Sequence, residues 1–185
     1  MSFKQKACAF GLRLIGWTAD SGPAPEKKAI LLGVPHTSMM DFVVSYLFYN
    51  GVGGDAHVII KSDIFKGPLG WLLRKLGAIP VDRGSGATFL KSIIEEFDRN
   101  ETFHIAMCPE GTRKATKHWK MGYHAIAKAT GAAVYMSYFD WGTKHIGIGK
   151  KFEITDDAKA DTAAIQEYYS TLGLVGRHKD GFVAK

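Results

Sequence analysis

Short runs made entirely of apolar residues alternate along this chain with longer segments of helical spacing. Residues 29–34 and 58–60 are such runs, which are typical of strands buried on both faces of a parallel sheet. Residues 88–99 carry apolar side chains three and four positions apart, which indicates an amphipathic helix. The alternation predicts an α/β fold with a mostly parallel mixed sheet and helices on both of its faces.

Length and composition favour one domain. The chain has 185 residues, of which 46% are apolar and 23% charged, as in ordinary globular proteins. Since no repeat or linker divides the sequence, we expect an amphipathic helix over residues 1–20 and one domain over residues 21–185. The two cysteines, Cys8 and Cys108, are too few for a disulfide framework, which favours a reducing cytoplasmic environment.

The N-terminal segment has an apolar stripe at helical spacing, with basic residues away from it. The stripe consists of Phe3, Ala7, Phe10, Leu14 and Trp17. Such a helix either lies in a membrane interface or packs on the core of the domain, and the sequence leaves both readings open. No apolar stretch reaches the ~20 residues that span a bilayer. We therefore expect a protein bound peripherally to a membrane surface.

The charge distribution predicts an anionic partner. The formal net charge is +6, which fits nucleic acid, a membrane surface or a phosphorylated small molecule. Five basic residues and no acidic residue lie in residues 111–139, and five basic residues against two acidic ones lie in residues 61–83. Both basic segments adjoin the polar motifs described next, which favours a role in binding.

The first motif runs from His36 to Asp41 and follows the apolar run 29–34. A carboxylate that orients a histidine ring makes the ring an effective general base. On a straight helix, a separation of five residues places two side chains about 140° apart. The two groups therefore meet only if His36 lies in a loop and Asp41 in the first helical turn, with Ser38 as the expected N-cap.

Two further motifs follow other predicted strands. Residues 108–113 read Cys-Pro-Glu-Gly-Thr-Arg, in which the glycine allows backbone N–H groups to approach an anion and Arg113 can bind a phosphate. Glu110 is expected either to fix Arg113 or to accept a hydrogen bond from a substrate hydroxyl. Residues 77–84 end in an Asp-Arg pair between glycines, which presents Arg83 at a sheet edge.

In order and separation, the three motifs resemble the blocks of the glycerolipid acyltransferase superfamily, of the lysophosphatidic acid acyltransferase type. The first block of that family is a histidine, four residues and an aspartate, matched here by His36 and Asp41. The second block is matched by residues 77–83, and the third by residues 108–113 with Cys108 in place of an aromatic residue. A fourth block, normally rich in prolines, has none at residues 131–136, which puts the choice of acyl donor in question.

The resemblance implies direct transfer of a fatty acyl group from acyl-CoA or acyl carrier protein, without an acyl-enzyme. The acceptor is expected to be a hydroxyl of a lysophospholipid or polyol phosphate, with His36 as general base and Asp41 orienting its ring. The residues expected to bind the acceptor are Arg83, Glu110, Gly111, Thr112 and Arg113. Lys61 is added because it follows a buried strand at the same edge of the sheet. No metal, redox cofactor or nucleic acid is required.

Three other functions compete with this interpretation. A metal-dependent phosphoesterase would use His36, Asp41 and Asp82 as ligands, but it leaves residues 109–113 unexplained. A nucleic-acid-binding module would explain the positive charge, although the sequence carries no motif of that class. A catalytically inactive member of the acyltransferase superfamily is the third alternative.

Overall fold

The computed structural model describes residues 1–81 and 86–182. The α-helices in these ranges are α1 Phe3–Leu14, α2 Met40–Gly51, α3 Gly67–Lys75, α4 Gly86–Arg99, α5 Gly122–Thr130 and α6 Ala158–Thr171. The strands are β1 Thr18–Ala19, β2 Lys28–Val34, β3 Ala56–Lys61, β4 Ala78–Val81, β5 Phe103–Met107, β6 Ala133–Asp140, β7 His145–Gly147 and β8 Lys151–Phe152. Short 3-10 helices cover Ser62–Ile64 and Lys179–Gly181.

All the strands belong to one mixed sheet with the order β1-β7-β6-β2-β5-β3-β4, and β8 pairs with β6. The central strand β2 runs parallel to β5 and β6, so that Leu32 lies opposite both Met107 and Met136. Strand β3 is parallel to β4 and β5, whereas β7 and β8 run antiparallel to β6. The predicted fold class is confirmed. The carboxyl ends of β6, β2 and β5 meet at one edge, where ligands of such sheets usually bind.

Strand β2 lies between two apolar cores. Ile30, Leu32 and Val34 face a core that also contains side chains of α4, α5 and α6. Ala29 and Leu31 face the opposite core, which contains side chains of α1 and α2. Helices on both faces explain why the run is continuously apolar and not alternating, since neither face of the strand meets water.

Helix α1 packs on α2 through a different face from the one that the sequence pattern marked. Its buried residues are Cys8 and Leu12. The stripe residues Phe3, Phe10 and Leu14 are exposed. Trp17 was predicted to continue the stripe, but it lies beyond the end of the helix and is buried. The helix is therefore packed on the domain while its apolar stripe still faces outward.

No helix within the described ranges is both long enough and apolar enough to cross a membrane.

Candidate active site

Three segments that follow adjacent strands form the site. His36 follows β2, Glu110 follows β5, and Trp141 follows β6. Because these strands are parallel neighbours in the sheet, the segments after them emerge at the same edge. The site thus combines residues that are up to 105 positions apart in the sequence, from His36 to Trp141 (141 − 36).

The His36 imidazole and the Asp41 carboxylate contact each other as the sequence predicted, with the histidine in the loop and the aspartate in the first turn of α2. The Nδ1 atom of His36 lies 3.1 Å from Oδ2 of Asp41. A carboxylate only accepts hydrogen bonds, so it favours the proton on Nδ1 and leaves the lone pair of the neutral ring on Nε2. In the part of the chain that the structure describes, no hydrogen bond engages Nε2, and the His36 side chain is 24% exposed.

The Asp41 side chain is only 2% exposed, and four donors satisfy its carboxylate. Oδ2 accepts the backbone N–H groups of Thr37 and Ser38, each at 2.8 Å, in addition to the imidazole. Oδ1 accepts the indole N–H of Trp141, also at 2.8 Å. Such bonds compensate a buried charge for its lost hydration. The carboxylate is therefore held in one orientation, with Oδ2 directed at the His36 ring.

The prediction that Ser38 caps α2 is wrong by one residue. Met39 occupies the N-cap position and makes no side-chain capping bond. The Ser38 hydroxyl instead accepts the N–H of Met40 at 3.2 Å. The reason is that Asp41 folds back over the loop and takes the N–H groups of Thr37 and Ser38, so the aspartate organises the start of the helix.

Glu110 lies beneath the His36 loop. Its carboxyl group is buried, and its two oxygens lie 3.0 and 3.1 Å from the backbone nitrogen of His36, whose N–H they accept. Burial raises the pKa of Glu110 to about 8, and the charge of Asp41 adds to the rise while the His36 N–H opposes it. The sequence prediction had Glu110 fix Arg113 or contact substrate. The structure shows that it contacts the His36 backbone, whereas Arg113 is exposed.

Burial, followed by the charges of Glu110 and Asp41, raises the pKa of the Cys108 thiol well above its ordinary value. A thiol that stays protonated is a poor nucleophile. Cys108 is therefore a neutral part of the wall of the site.

In the turn at residues 108–111, the backbone N–H of Gly111, which was expected to approach an anion, forms a hydrogen bond within the protein. Gly111 has φ = 65°, and its N–H donates to the carbonyl of Cys108 at 3.1 Å. Thr112 is half-buried, and its hydroxyl accepts the N–H of Lys114 at 3.2 Å. Of the predicted acceptor-binding residues in this motif, Arg113 is the one that presents an exposed charge.

The structure describes only the backbone of one predicted binding residue, Lys61, and nothing of another, Arg83. Lys61 ends β3, which pairs with β5, so its backbone lies at the same edge of the sheet as the His36 loop. The Lys61 side chain and all of Arg83 lie outside the described part of the chain, as does Asp82. Their predicted roles remain predictions.

The metal-dependent alternative needs His36, Asp41 and Asp82 as ligands, and Asp82 lies outside the described residues. Within residues 1–81 and 86–182, no group of three or more histidine, cysteine, aspartate or glutamate side chains is arranged to hold a cation. Asp41, which the phosphoesterase alternative would use as a ligand, already accepts hydrogen bonds from four donors.

Sequence reasoning missed Trp141. Its indole N–H binds Asp41, and its ring packs edge-on against Trp17 with centroids 5.0 Å apart. The signal was present in the strand pattern, because a residue directly after a strand next to β2 is expected at the same edge as His36. Trp141 is uncharged and belongs to none of the three polar motifs, so those motifs did not indicate it.

Three comparisons with known proteins bear on this geometry. A family model described as Acyltransferase matches residues 19–144. Among solved structures, the crystal structure of the 1-acyl-sn-glycerophosphate (LPA) acyltransferase PlsC from Thermotoga maritima is similar, with a TM-score of 0.62 and 19% sequence identity. That match covers 93% of this chain and 83% of the other. No curated protein matches the sequence at a significant level.

At 19% sequence identity, the similarity to the PlsC structure shows that the two proteins share a fold. The family match covers most of the chain and includes His36, Asp41, Glu110 and Trp141. The chain belongs to the acyltransferase family.

Proposed function

We propose that this protein transfers a fatty acyl group from a thioester donor, acyl-CoA or acyl carrier protein, to a hydroxyl of a phosphate-bearing lipid or polyol phosphate such as lysophosphatidic acid. The observation that carries the proposal is the His36–Asp41 pair. Asp41 engages Nδ1 at 3.1 Å and is itself held by Trp141 and two backbone N–H groups. A partly exposed ring with a lone pair on Nε2 is suited to remove a proton from an acceptor hydroxyl.

The proposed reaction proceeds without an acyl-enzyme. Nε2 of His36 removes the acceptor hydroxyl proton while the oxygen attacks the thioester carbonyl, and Asp41 stabilises the imidazolium that forms. Collapse of the tetrahedral intermediate breaks the carbon–sulfur bond and forms the ester. The imidazolium then returns its proton to the leaving thiolate, so that the products are an ester and a thiol.

The neighbouring nucleophiles support direct transfer. Burial keeps the pKa of the Cys108 thiol well above its ordinary value. The Ser38 side chain is buried, and its hydroxyl already binds the N–H of Met40. Neither group is placed as an activated nucleophile, which leaves the acceptor hydroxyl as the group that His36 activates.

Surface properties support a lipid acceptor at a membrane surface. The outward face of α1 and the first turn of α2 expose apolar side chains. These are Phe3, Phe10, Leu14, Met39, Met40 and Val43. Since Met39 and Met40 directly follow the His36 loop, a lipid that leaves a membrane at this surface would reach the base over a short distance. These exposed side chains support a peripheral membrane location. The proposal also includes the cytoplasmic location and the phosphate-binding roles of Lys61, Arg83 and Arg113 that the sequence predicted.

The test measures release of free thiol from long-chain acyl-CoA, and separately from acyl carrier protein, with lysophospholipid and polyol-phosphate acceptors. The wild type is compared with His36→Ala and with His145→Ala. His145 is a matched control because its Nδ1 lies 2.7 Å from Oδ1 of Asp20, on the partly exposed strand pair β1–β7. Loss of a general base lowers the rate by about 10²–10⁴ fold.

The expected result is acceptor-dependent release that disappears in His36→Ala and stays within about twofold of wild type in His145→Ala. An additional arm presents the acceptor in liposomes, where we expect the rate to rise with anionic lipid content. Equal rates in wild type and His36→Ala with every donor and acceptor would contradict the proposal.

A further inference from the structure

The segment 173–182 after α6, here called the C-terminal segment, crosses the carboxyl edge of the sheet beside the His36 loop. Two hydrogen bonds fix its start: the backbone N–H of Val175 donates to the side-chain Oδ1 of Asp140 at 2.8 Å, and the backbone N–H of Trp141 donates to the Val175 carbonyl at 2.9 Å. Further along, the N–H of His178 donates to the Thr37 hydroxyl at 3.3 Å. The segment is thus bonded both to the end of β6 and to the first catalytic motif.

Two glycines let the backbone of this segment lie directly on Thr37. A Cβ atom at Gly176 would lie 2.5 Å from Cγ2 of Thr37, and one at Gly181 would lie 2.9 Å from the same atom. A Cβ atom at Gly181 would also lie 3.2 Å from the carbonyl oxygen of Arg113. Side chains at these positions would force the segment away. The C-terminal segment therefore lies between the loop of His36 and the loop of Arg113, and forms one wall of the site.

The same wall carries an exposed cation. The guanidinium carbon of Arg177 lies 4.9 Å from the centroid of the Trp141 ring, and the indole N–H of that ring binds Asp41. Contact with an aromatic face orients a guanidinium but leaves its N–H donors available for hydrogen bonds. One indole ring thus separates Arg177 from the catalytic carboxylate.

No carboxylate in the described ranges forms a salt bridge with Arg177. Asp140 is close in the structure, but its oxygens accept the N–H groups of Gly142, Thr143 and Val175 and the Thr143 hydroxyl. An exposed guanidinium that is oriented by an aromatic ring, lies beside a site and has no carboxylate partner among the described residues is suited to bind phosphate through paired N–H donors.

We propose that Arg177 binds a phosphate group of a substrate, and that the C-terminal segment completes the substrate site. This residue lies outside the region matched by the family model, which ends at residue 144. The ligand chemistry is a phosphate ester, carried either by the acceptor or by the CoA or phosphopantetheine part of the donor. The inference rests on the proposed acyl transfer for its role in turnover, although the anion site itself is testable without turnover.

The first experiment measures steady-state kinetics of Arg177→Met, which keeps an apolar side chain over Trp141 but removes the charge, and of Arg177→Lys, which keeps the charge. The control is Lys159→Met, an exposed cation in the first turn of α6, at the opposite end of that helix. For Arg177→Met we expect the KM of one substrate to rise roughly tenfold or more with kcat within about twofold, and Arg177→Lys to recover part of the loss.

The substrate whose KM changes identifies the source of the phosphate. A rise for the phosphate-bearing acceptor, with no change for monoacylglycerol, assigns the acceptor, and a rise for acyl-CoA assigns the donor. If kcat falls while both KM values stay unchanged, Arg177 acts only by holding Trp141 against Asp41, and the inference is overturned. Unchanged kinetics would also overturn it.

A binding measurement separates this inference from the proposed function. Calorimetry with CoA and with glycerol 3-phosphate compares His36→Ala with the double variant His36→Ala, Arg177→Met. Tighter binding to the protein that retains Arg177 supports the phosphate site, even if no acyl transfer is ever detected. Binding that is equal in the two proteins, or undetectable in both, contradicts the inference even if acyl transfer is confirmed.

Discussion

Asp41 and Asp161 are both almost fully buried, and each lies within hydrogen-bonding distance of a histidine ring. In the first pair, Oδ2 of Asp41 contacts Nδ1 of His36 at 3.1 Å. In the second, Oδ2 of Asp161 contacts Nε2 of His124 at 3.2 Å, and the Thr155 carbonyl lies 3.1 Å from the same nitrogen. The carboxylates are therefore alike in burial, but they engage opposite nitrogens of the imidazole.

Exposure of the rings also differs. The His124 side chain is 8% exposed and lies between α5 and α6, where Asp161 also accepts the N–H and the hydroxyl of Thr155. The His36 side chain is 24% exposed, in a loop at the carboxyl edge of the sheet. A histidine–aspartate contact by itself therefore does not make a base. The distal nitrogen must also be unprotonated and accessible to substrate.

The largest expected effect on activity is that of Asp41→Asn, for which Asp161→Asn serves as the comparison. Asp41→Asn removes the charge that would stabilise the His36 imidazolium and replaces one acceptor oxygen by an N–H₂ donor facing other donors, so we expect kcat per folded molecule to fall by about 10²–10⁴ fold. Asp161→Asn weakens a structural cluster and is expected to lower the free energy of unfolding by about 1–3 kcal/mol, with kcat per folded molecule within about twofold of wild type. The measurement is acyl transfer normalised to the folded fraction from urea unfolding.

An equal loss of activity per folded molecule in Asp161→Asn and Asp41→Asn would contradict the proposed difference between the two aspartates. That result would mean that both histidines act in turnover, or that the fold around α5 and α6 controls the site.

A smaller effect concerns Glu110, which supports the His36 loop and has a pKa raised by burial to about 8. The unfolded side chain titrates near ~4.3, so between these values the folded state binds more protons than the unfolded state. The stabilisation is fully present below the unfolded pKa and is lost as the pH rises through the folded one. We expect the free energy of unfolding to fall by up to about 1.4 kcal/mol per pH unit within this window.

The variant Glu110→Gln, which stays neutral, should lack that pH dependence, as measured by urea unfolding at several pH values between 5 and 8. Glu101→Gln is the control, because Glu101 is exposed and pairs with Lys27 at the surface. Parallel stability curves for wild type and Glu110→Gln would show that Glu110 is ionised throughout this range.

The sequence predicted the fold and the contact between His36 and Asp41 because both depend on local patterns. Apolar runs marked the strands, and the five-residue spacing of His36 and Asp41 required the loop-to-helix transition that the structure contains. The motif at residues 108–113 predicted that Glu110 contacts Arg113 or a substrate hydroxyl, and it did not predict that the side chain is directed at the His36 backbone. That direction depends on the close packing of two loops, which no local pattern encodes.

The parts that sequence reasoning missed depend on contacts between distant residues. Trp141 binds Asp41 across 100 positions, and Arg177 reaches the site only because α6 carries the chain back to the sheet edge. The stripe of α1 was read correctly as apolar, but Trp17 leaves it because the helix ends at Leu14. Periodicity alone does not mark the end of the helix. The relevant signal is Gly16, whose φ of 80° is the conformation in which glycine commonly terminates a helix.

The most direct test of the account is the tautomer of the two rings, measured by imidazole ¹⁵N chemical shifts and two-bond couplings at a pH where both rings are neutral. Resonances are assigned by comparison with His36→Gln and His124→Gln. The structure predicts opposite tautomers, with the proton of His36 on Nδ1 and that of His124 on Nε2. A proton on Nε2 of neutral His36 would contradict the account, because the nitrogen proposed as the base would then have no lone pair for the substrate.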